Sequence, residues 1–394
     1  MKFSINPKTE RLVVFGILGL AVALRVIAAI VIPDQSPVLP DVIDYRESAE
    51  HFLKTGLMIN PYQMPLYTLL IAITGPGIGQ LGADIMLSVF LVWLVYELAD
   101  QLFSDQYARI ISAAVAACYP PLIFFSVIGL SETLFITLVL SAFLYWYRGR
   151  FTVSAIFAVL AILTRPIFDI FAPGLVLLFA LLVHRLPLTK ALQHLAVYLI
   201  VYCALMAPWW LNNYKAYGGF VRLTLGAGIV LFAGNNPLNH SGGGNLGVDY
   251  DLSAFASITD PIKRDAALRD AAIDYIVHNP QRFLKLAVLK FQRIWQFWPA
   301  NEAFRNTGTV IISVGSFAPV LLFASLGLFA KRDRLRRLSP ILLFALGYTG
   351  LLMILVGTIR YRLPLEPFLI VLAGAGISYL MQRAIFSRSQ RAQF

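Results

Sequence analysis

Two carboxylates three residues apart, Asp41 and Asp44, stand just before Tyr45 in the segment PDQSPVLPDVIDYRESAEHFLKTG. Side chains at that spacing share one face of a helical turn. A carboxylate so placed can take the proton from a hydroxyl as it attacks, the task of a base in group transfer. The pair could also hold a metal ion, or cap a helix that begins near Asp44. Glu132 follows Gly129, Leu130 and Ser131, and Arg165-Pro166 comes later, with Asp169 a turn beyond. Glu132 and Arg165 make a natural ion pair if their helices are neighbours; interfacial anchoring is the alternative. Arg360, Tyr361 and Arg362 form another polar knot, and Lys290 lies in a basic, aromatic stretch. Arginine clamps phosphate bidentately, so Arg360 is the first candidate phosphate contact, with Lys290 next. A snorkelling role at the headgroups is the alternative for Arg360. Asn212, Asn213 and Lys215 in APWWLNNYKAYGGF, and Asn235 in GNNP, can bond sugar hydroxyls or simply form turns. Gly242 to Gly244 are not a P-loop, because no Gly-Lys-Ser/Thr follows.

These residues sit between long apolar runs. The chain is 58% hydrophobic with mean hydropathy +0.73, against about 45–50% apolar in a soluble domain. Runs of the length a membrane helix needs lie near 11–32, 84–103, 110–128, 130–147, 151–164, 168–184, 191–209, 309–330, 340–357 and 363–382. A soluble bundle of such helices would have no polar face for water. Net charge is +11, from 32 Lys plus Arg against 21 Asp plus Glu. Nucleic-acid binding is not the reading of that excess, because much of it falls in short loops on one side. Lys2, Lys8 and Arg11, then Arg148 and Arg150, Arg185 and Lys190, and the cluster Lys331 to Arg337 all share that side if these runs cross. The positive-inside bias makes it cytoplasmic and puts both termini there.

The segment 64–82 is apolar but broken by Pro65, Gly75, Pro76, Gly77, Gly79 and Gly82. It reads as a short interfacial or re-entrant helix, since a full crossing would reverse most later charge clusters. The outer side then holds loop 33–63, with Asp34, Asp41 and Asp44, and a long loop 210–308. The chain divides into an N-terminal membrane module 1–209, that loop, and a C-terminal membrane part 309–394. Within the loop, 263–277 and 281–298 read as helices, the second basic and suited to lie against membrane lipids. Residues 11–32 read as a retained first span. Cys118 and Cys203 lie in apolar runs and suggest no disulfide.

An outward cavity with a carboxylate on one wall and cationic side chains on another suits a lipid-anchored donor with a phosphate. Its tail would lie among the helices. The leaving phosphate already carries charge, so cationic stabilisation and an Asp base suffice, with no cofactor and no metal.

The order of several segments adds a resemblance. DVIDYRESAEHFLKTG at 41–56, MPLYTLLIA at 64–72, YPPLIFFSVIGLSETLF at 119–135, ILTRP at 162–166, APWWLNNYKAYGGF at 207–220, GNNP at 234–237 and RYRLPLEPFLIVLAG at 360–374 carry it. Together they resemble integral-membrane glycosyltransferases of the dolichyl-phosphate-mannose protein mannosyltransferase type (family 39), in their bacterial branch. The resemblance implies the GT-C fold, an all-α polytopic bundle with periplasmic interfacial helices. It implies an inverting transferase of the bacterial inner membrane that uses a polyprenyl-phosphate-linked sugar at the periplasmic face. The family's catalytic Asp commonly stands four residues before the Tyr; Asp41 holds that position, with Asp44 the alternative. Glu132 falls on the acidic position of a Ser-Glu pair, and Arg165 and Arg360 on basic ones. The chain departs from the pattern at Val42, where a second acidic residue is usual. No large soluble C-terminal domain is visible, so a glycan or lipid acceptor is expected rather than protein. A transporter or flippase for a lipid-linked glycan is the alternative; it would favour inverted repeats, and none is evident.

Overall fold

The computed structural model describes residues 6–33, 39–299 and 305–391; Lys2 and Asp34 lie outside the described residues. Helix α1 (Pro7–Val31) starts at Asn6, whose side chain accepts from the Lys8 amide at 2.9 Å. Helix α2 (Asp41–Thr55) ends at Gly56, φ 73°. Pro40, in α conformation, is its N-cap, and no side chain caps it. Capping is therefore not the role of Asp41 or Asp44: the Val42 and Ile43 amides donate to the Leu39 and Pro40 carbonyls at 3.0 and 2.9 Å. Helix α3 (Pro65–Thr74) is only 10 residues long, about 15 Å at 1.5 Å per residue, too short to span a bilayer core. Gly75 and Gly77, both at positive φ, turn the chain into α4 (Ile78–Phe103). The irregular segment thus ends at residue 77 rather than 82, because Gly79 and Gly82 are absorbed into α4.

One expected crossing is interrupted by proline, and another is followed by one. The run 110–128 divides into α5 (Gln106–Cys118) and α6 (Pro120–Phe125). Pro120 excludes its predecessor from helix, and Tyr119 takes φ −75°, ψ 112°. Helix α7 (Glu132–Tyr147) is buried at every residue except Tyr145, so its apolar pattern has no stripe. Helix α8 (Phe151–Ile162) stops before Arg165, which is extended because Pro166 follows. A 3-10 turn, then α9 (Ala172–Leu178) and a π turn occupy the next run. Helix α10 (Leu188–Tyr217) continues through Pro208, so Asn212, Asn213 and Lys215 lie on its last turns rather than beyond it.

The long loop contains α11 (Ala227–Gly234), α12 (Pro261–His278) and α13 (Pro280–Trp295). Then come α14 (Thr307–Ala330), α15 (Leu335–Ile354), the single turn α16 (Ile359–Arg362) and α17 (Glu366–Arg391). Among the described residues there is no strand, and 6 helical segments are long and apolar enough to cross a membrane. The other expected crossings coincide with the shorter α7 and α8 and with the broken α5–α6 and α9 regions. The protein is a polytopic helix bundle. Helix α7 is its centre, packed by α4 and α8, while α17 closes the far side on α5 and α14. Gly327 on α14 lies so close to the Leu372 carbonyl that no Cβ would fit, which lets these two backbones touch. Both cysteines are free.

Candidate active site

The N-termini of α2 and α7 and the turn α16 converge. Asp41 is the first residue of α2 and Glu132 the first of α7, so each carboxylate sits where the helix dipole favours negative charge. Arg360 NH1 donates to Asp41 Oδ2 at 2.8 Å, and its Nε donates to Glu132 Oε1. Arg165 NH1 reaches the same Glu132 oxygen at 2.6 Å. The expected Glu132–Arg165 pair therefore forms, and Arg360 joins it to Asp41. Two carboxylates and two guanidiniums alternate in one chain of contacts. Glu132 is 1% exposed, whereas Asp41 remains 49% exposed at the rim. The Arg165 guanidinium lies over the Tyr361 ring, 5.6 Å from its centre. Each arginine has more N–H donors than these bonds use, so the cluster can take an incoming anion. Asp44 is exposed on the next turn of α2. Partial burial, then the Asp41 and Glu47 charges, raise its pKa.

A second layer supports α2. Tyr45 donates to Ser131 Oγ at 3.0 Å and packs edge-on against Tyr67 with centroids 4.9 Å apart. Tyr67 donates to Asp84 Oδ2 at 2.7 Å and accepts from Gln80 Nε2 at 3.0 Å. Arg46 donates to Gln80 Oε1 at 3.2 Å, which returns the network to α2. Gly129, φ 76°, leaves the space that the Gln80 amide fills. Residue spacing alone does not reveal this layer. Its one signal was Asp84, a carboxylate inside an apolar run.

The other candidates lie elsewhere. Lys215 is exposed near the C-terminus of α10, where a cation complements the dipole. Asn235 and Lys290 meet each other: Lys290 Nζ donates to Asn235 Oδ1 and to the Ile354 carbonyl, both at 3.0 Å. Lys290 is fully buried, and that burial pushes its pKa down to about 7. Arg362, though next to Tyr361, turns away to pair with Glu366 at 2.8 Å and to bond the Ile294 and Gln296 carbonyls. Asp169 pairs with Arg222. Among the described residues no group of three His, Cys, Asp or Glu side chains could hold a metal ion.

The asparagine-rich motifs act as staples. Asn212 accepts from the Met58 amide and donates to the Met58 carbonyl, both at 2.9 Å, tying loop 33–63 to α10. Asn213 Nδ2 donates to the Val221 carbonyl at 3.1 Å, and Trp209 and Trp210 donate to Leu223 and Arg222 carbonyls at 2.7 and 2.9 Å. Asn212→Ala would leave both Met58 groups without these bonds. The expected loss is about 1–3 kcal/mol, read as a lower Tm of the purified protein in detergent.

No protein-family model and no curated protein matches the chain. Solved structures do match. The Archaeoglobus fulgidus oligosaccharyltransferase in the apo form aligns with TM-score 0.56 at 14% identity, over 96% of this chain and 52% of that one. The oligosaccharyltransferase AglB of the same organism, in complex with an inhibitory peptide and a dolichol-phosphate, gives 0.54 at 14% identity, over 97% and 52%. ArnT from Cupriavidus metallidurans bound to undecaprenyl phosphate gives 0.51 at 16% identity, over 84% and 54%. The chain spans about half the length of each of these proteins. They share the GT-C fold, and the chain has that fold: it is a multi-pass membrane protein of the GT-C architecture.

Proposed function

We propose that the protein is an inverting glycosyltransferase that moves a sugar from a polyprenyl-phosphate donor to a glycan or lipid acceptor. The reaction takes place at the periplasmic face of a bacterial inner membrane. The observation that carries this reading is the 2.8 Å contact between Asp41 and Arg360, a half-exposed carboxylate beside a guanidinium. The GT-C fold supports it, as do the polyprenyl phosphates in two of the similar structures. The basic cluster 331–337 supports the sidedness, because positive loops stay cytoplasmic.

In the proposed step the acceptor hydroxyl oxygen attacks the sugar C1 while Asp41 takes its proton. The bond from C1 to the phosphate oxygen breaks on the opposite face, which inverts the anomeric centre. The phosphate leaves with the bonding pair, and Arg360 and Arg165 hold its growing charge. Glu132 keeps both guanidiniums in place. Tyr361 supports Arg165.

The test is transfer of radiolabelled sugar from a panel of polyprenyl-phosphate sugars in proteoliposomes. The expected result is label in a glycan or lipid product, with Arg360→Gln raising the donor KM by about tenfold or more. Movement of the intact donor across the bilayer with no product would instead favour a flippase.

A further inference from the structure

We infer that the long outer loop clasps the strap that delivers Arg360, and that Lys290 and Arg293 are positioning residues for it. This rests on the reading of Arg360 as the donor-phosphate contact. The strap is the stretch 355–358, between α15 and α16. Its start is fixed at the Ile354 carbonyl, which accepts from Lys290 Nζ at 3.0 Å and from Asn235 Nδ2 at 2.8 Å. Its end is fixed at Gly357. The Gly357 carbonyl accepts from Arg293 Nε at 3.2 Å, and its amide donates to the Gly242 carbonyl at 3.0 Å. The fit is close at both ends. A Cβ on Gly234 would collide with the Leu355 carbonyl, and one on Gly357 would stand 2.7 Å from the Lys290 backbone. Three residues after Gly357, Arg360 reaches Glu132 and Asp41.

The chemistry of Lys290 fits a geometric role. It is 0% exposed, and the oxygens that its amine meets are neutral. Burying an amine without a counter-charge is costly, whether it holds its proton or gives it up, and an apolar side chain of similar volume would pack there without that cost. The amine sits where it joins three segments: α13, the turn after α11, and the end of α15. The α13 helix is itself anchored at its far end, where Arg362 bonds the Ile294 and Gln296 carbonyls. The clasp therefore couples α13 to Arg360, which touches both carboxylates of the cluster.

The test is a double-mutant cycle with two readouts. Lys290→Met and Arg360→Gln are made singly and together, with Arg293→Gln as a second way to open the clasp. Amide hydrogen exchange over 354–361 is expected to quicken about tenfold in Lys290→Met and in Arg293→Gln, with α7 and α8 unchanged. The donor KM is expected to rise about tenfold in Lys290→Met, and that rise is expected to vanish in the Arg360→Gln background. Unchanged exchange over the strap would overturn the proposal. So would effects that simply multiply, because they would mean Lys290 acts on overall stability and not through Arg360. If the wild type transfers no sugar at all, the proposed reaction fails, while the exchange measurement still decides whether the clasp exists.

Discussion

Asp41→Asn is expected to lower kcat for sugar transfer by about 10²–10⁴-fold, the usual contribution of a positioned base. Donor affinity should change little. The amide oxygen of Asn can still accept from Arg360 NH1, which now donates to Asp41 at 2.8 Å, so the cluster should keep its shape. The variant loses only the lone pair basic enough to take the acceptor proton. Asp44→Asn is the internal control. Asp44 is exposed and one turn further along α2, and its loss should leave kcat nearly unchanged. The measurement is single-turnover transfer from labelled donor by purified variants. Full activity in Asp41→Asn with loss in Asp44→Asn would move the base one turn along the helix.

Glu132→Gln is expected to do more damage to the folded protein than any other change in the cluster. Glu132 is 1% exposed, and one of its oxygens meets both Arg165 and Arg360. Neutralising it leaves two guanidiniums facing each other with Asp41 as the remaining anion, half-exposed at the rim. Breaking a buried pair by removing one partner costs about 3–5 kcal/mol. The expected readouts are a marked fall in Tm and loss of transfer. Adding Arg165→Gln removes one of the stranded charges and should restore much of the stability, but not the transfer. If Glu132→Gln melts like the wild type, the cluster is wetter and looser than its geometry implies.

Parts of this site were legible in the residues, for identifiable reasons. Glu132, Arg165 and Arg360 are charges at the ends of apolar runs, and few places in a membrane protein accept such charges; Asp41 stood out by its spacing to Asp44 and Tyr45 in the first outer loop. The Glu132–Arg165 pair followed from helix adjacency. Arg360 as the link to Asp41 did not, because the two residues are brought together only by how α16 meets α2. The spans were readable as hydropathy, yet the break at Tyr119 divided one of them. There the local rule for residues before proline outweighed the apolar composition. Asn212, Asn213 and Asn235 were candidates for sugar contacts, but an asparagine held in packed surroundings bonds whatever backbone group lies beside it. In this fold those groups are Met58, Val221 and Ile354. Lys290 shows the same limit. Its position in a basic stretch suggested a ligand, while its burial against neutral carbonyls depends on three segments far apart in sequence.

The most direct measurement is a density map of the protein with undecaprenyl phosphate added. The phosphate is expected within hydrogen-bond distance of Arg360 and Arg165, on the side from which Asp41 can face the sugar carbon. A phosphate seated away from both arginines, for example at Lys215, would contradict the proposed reaction.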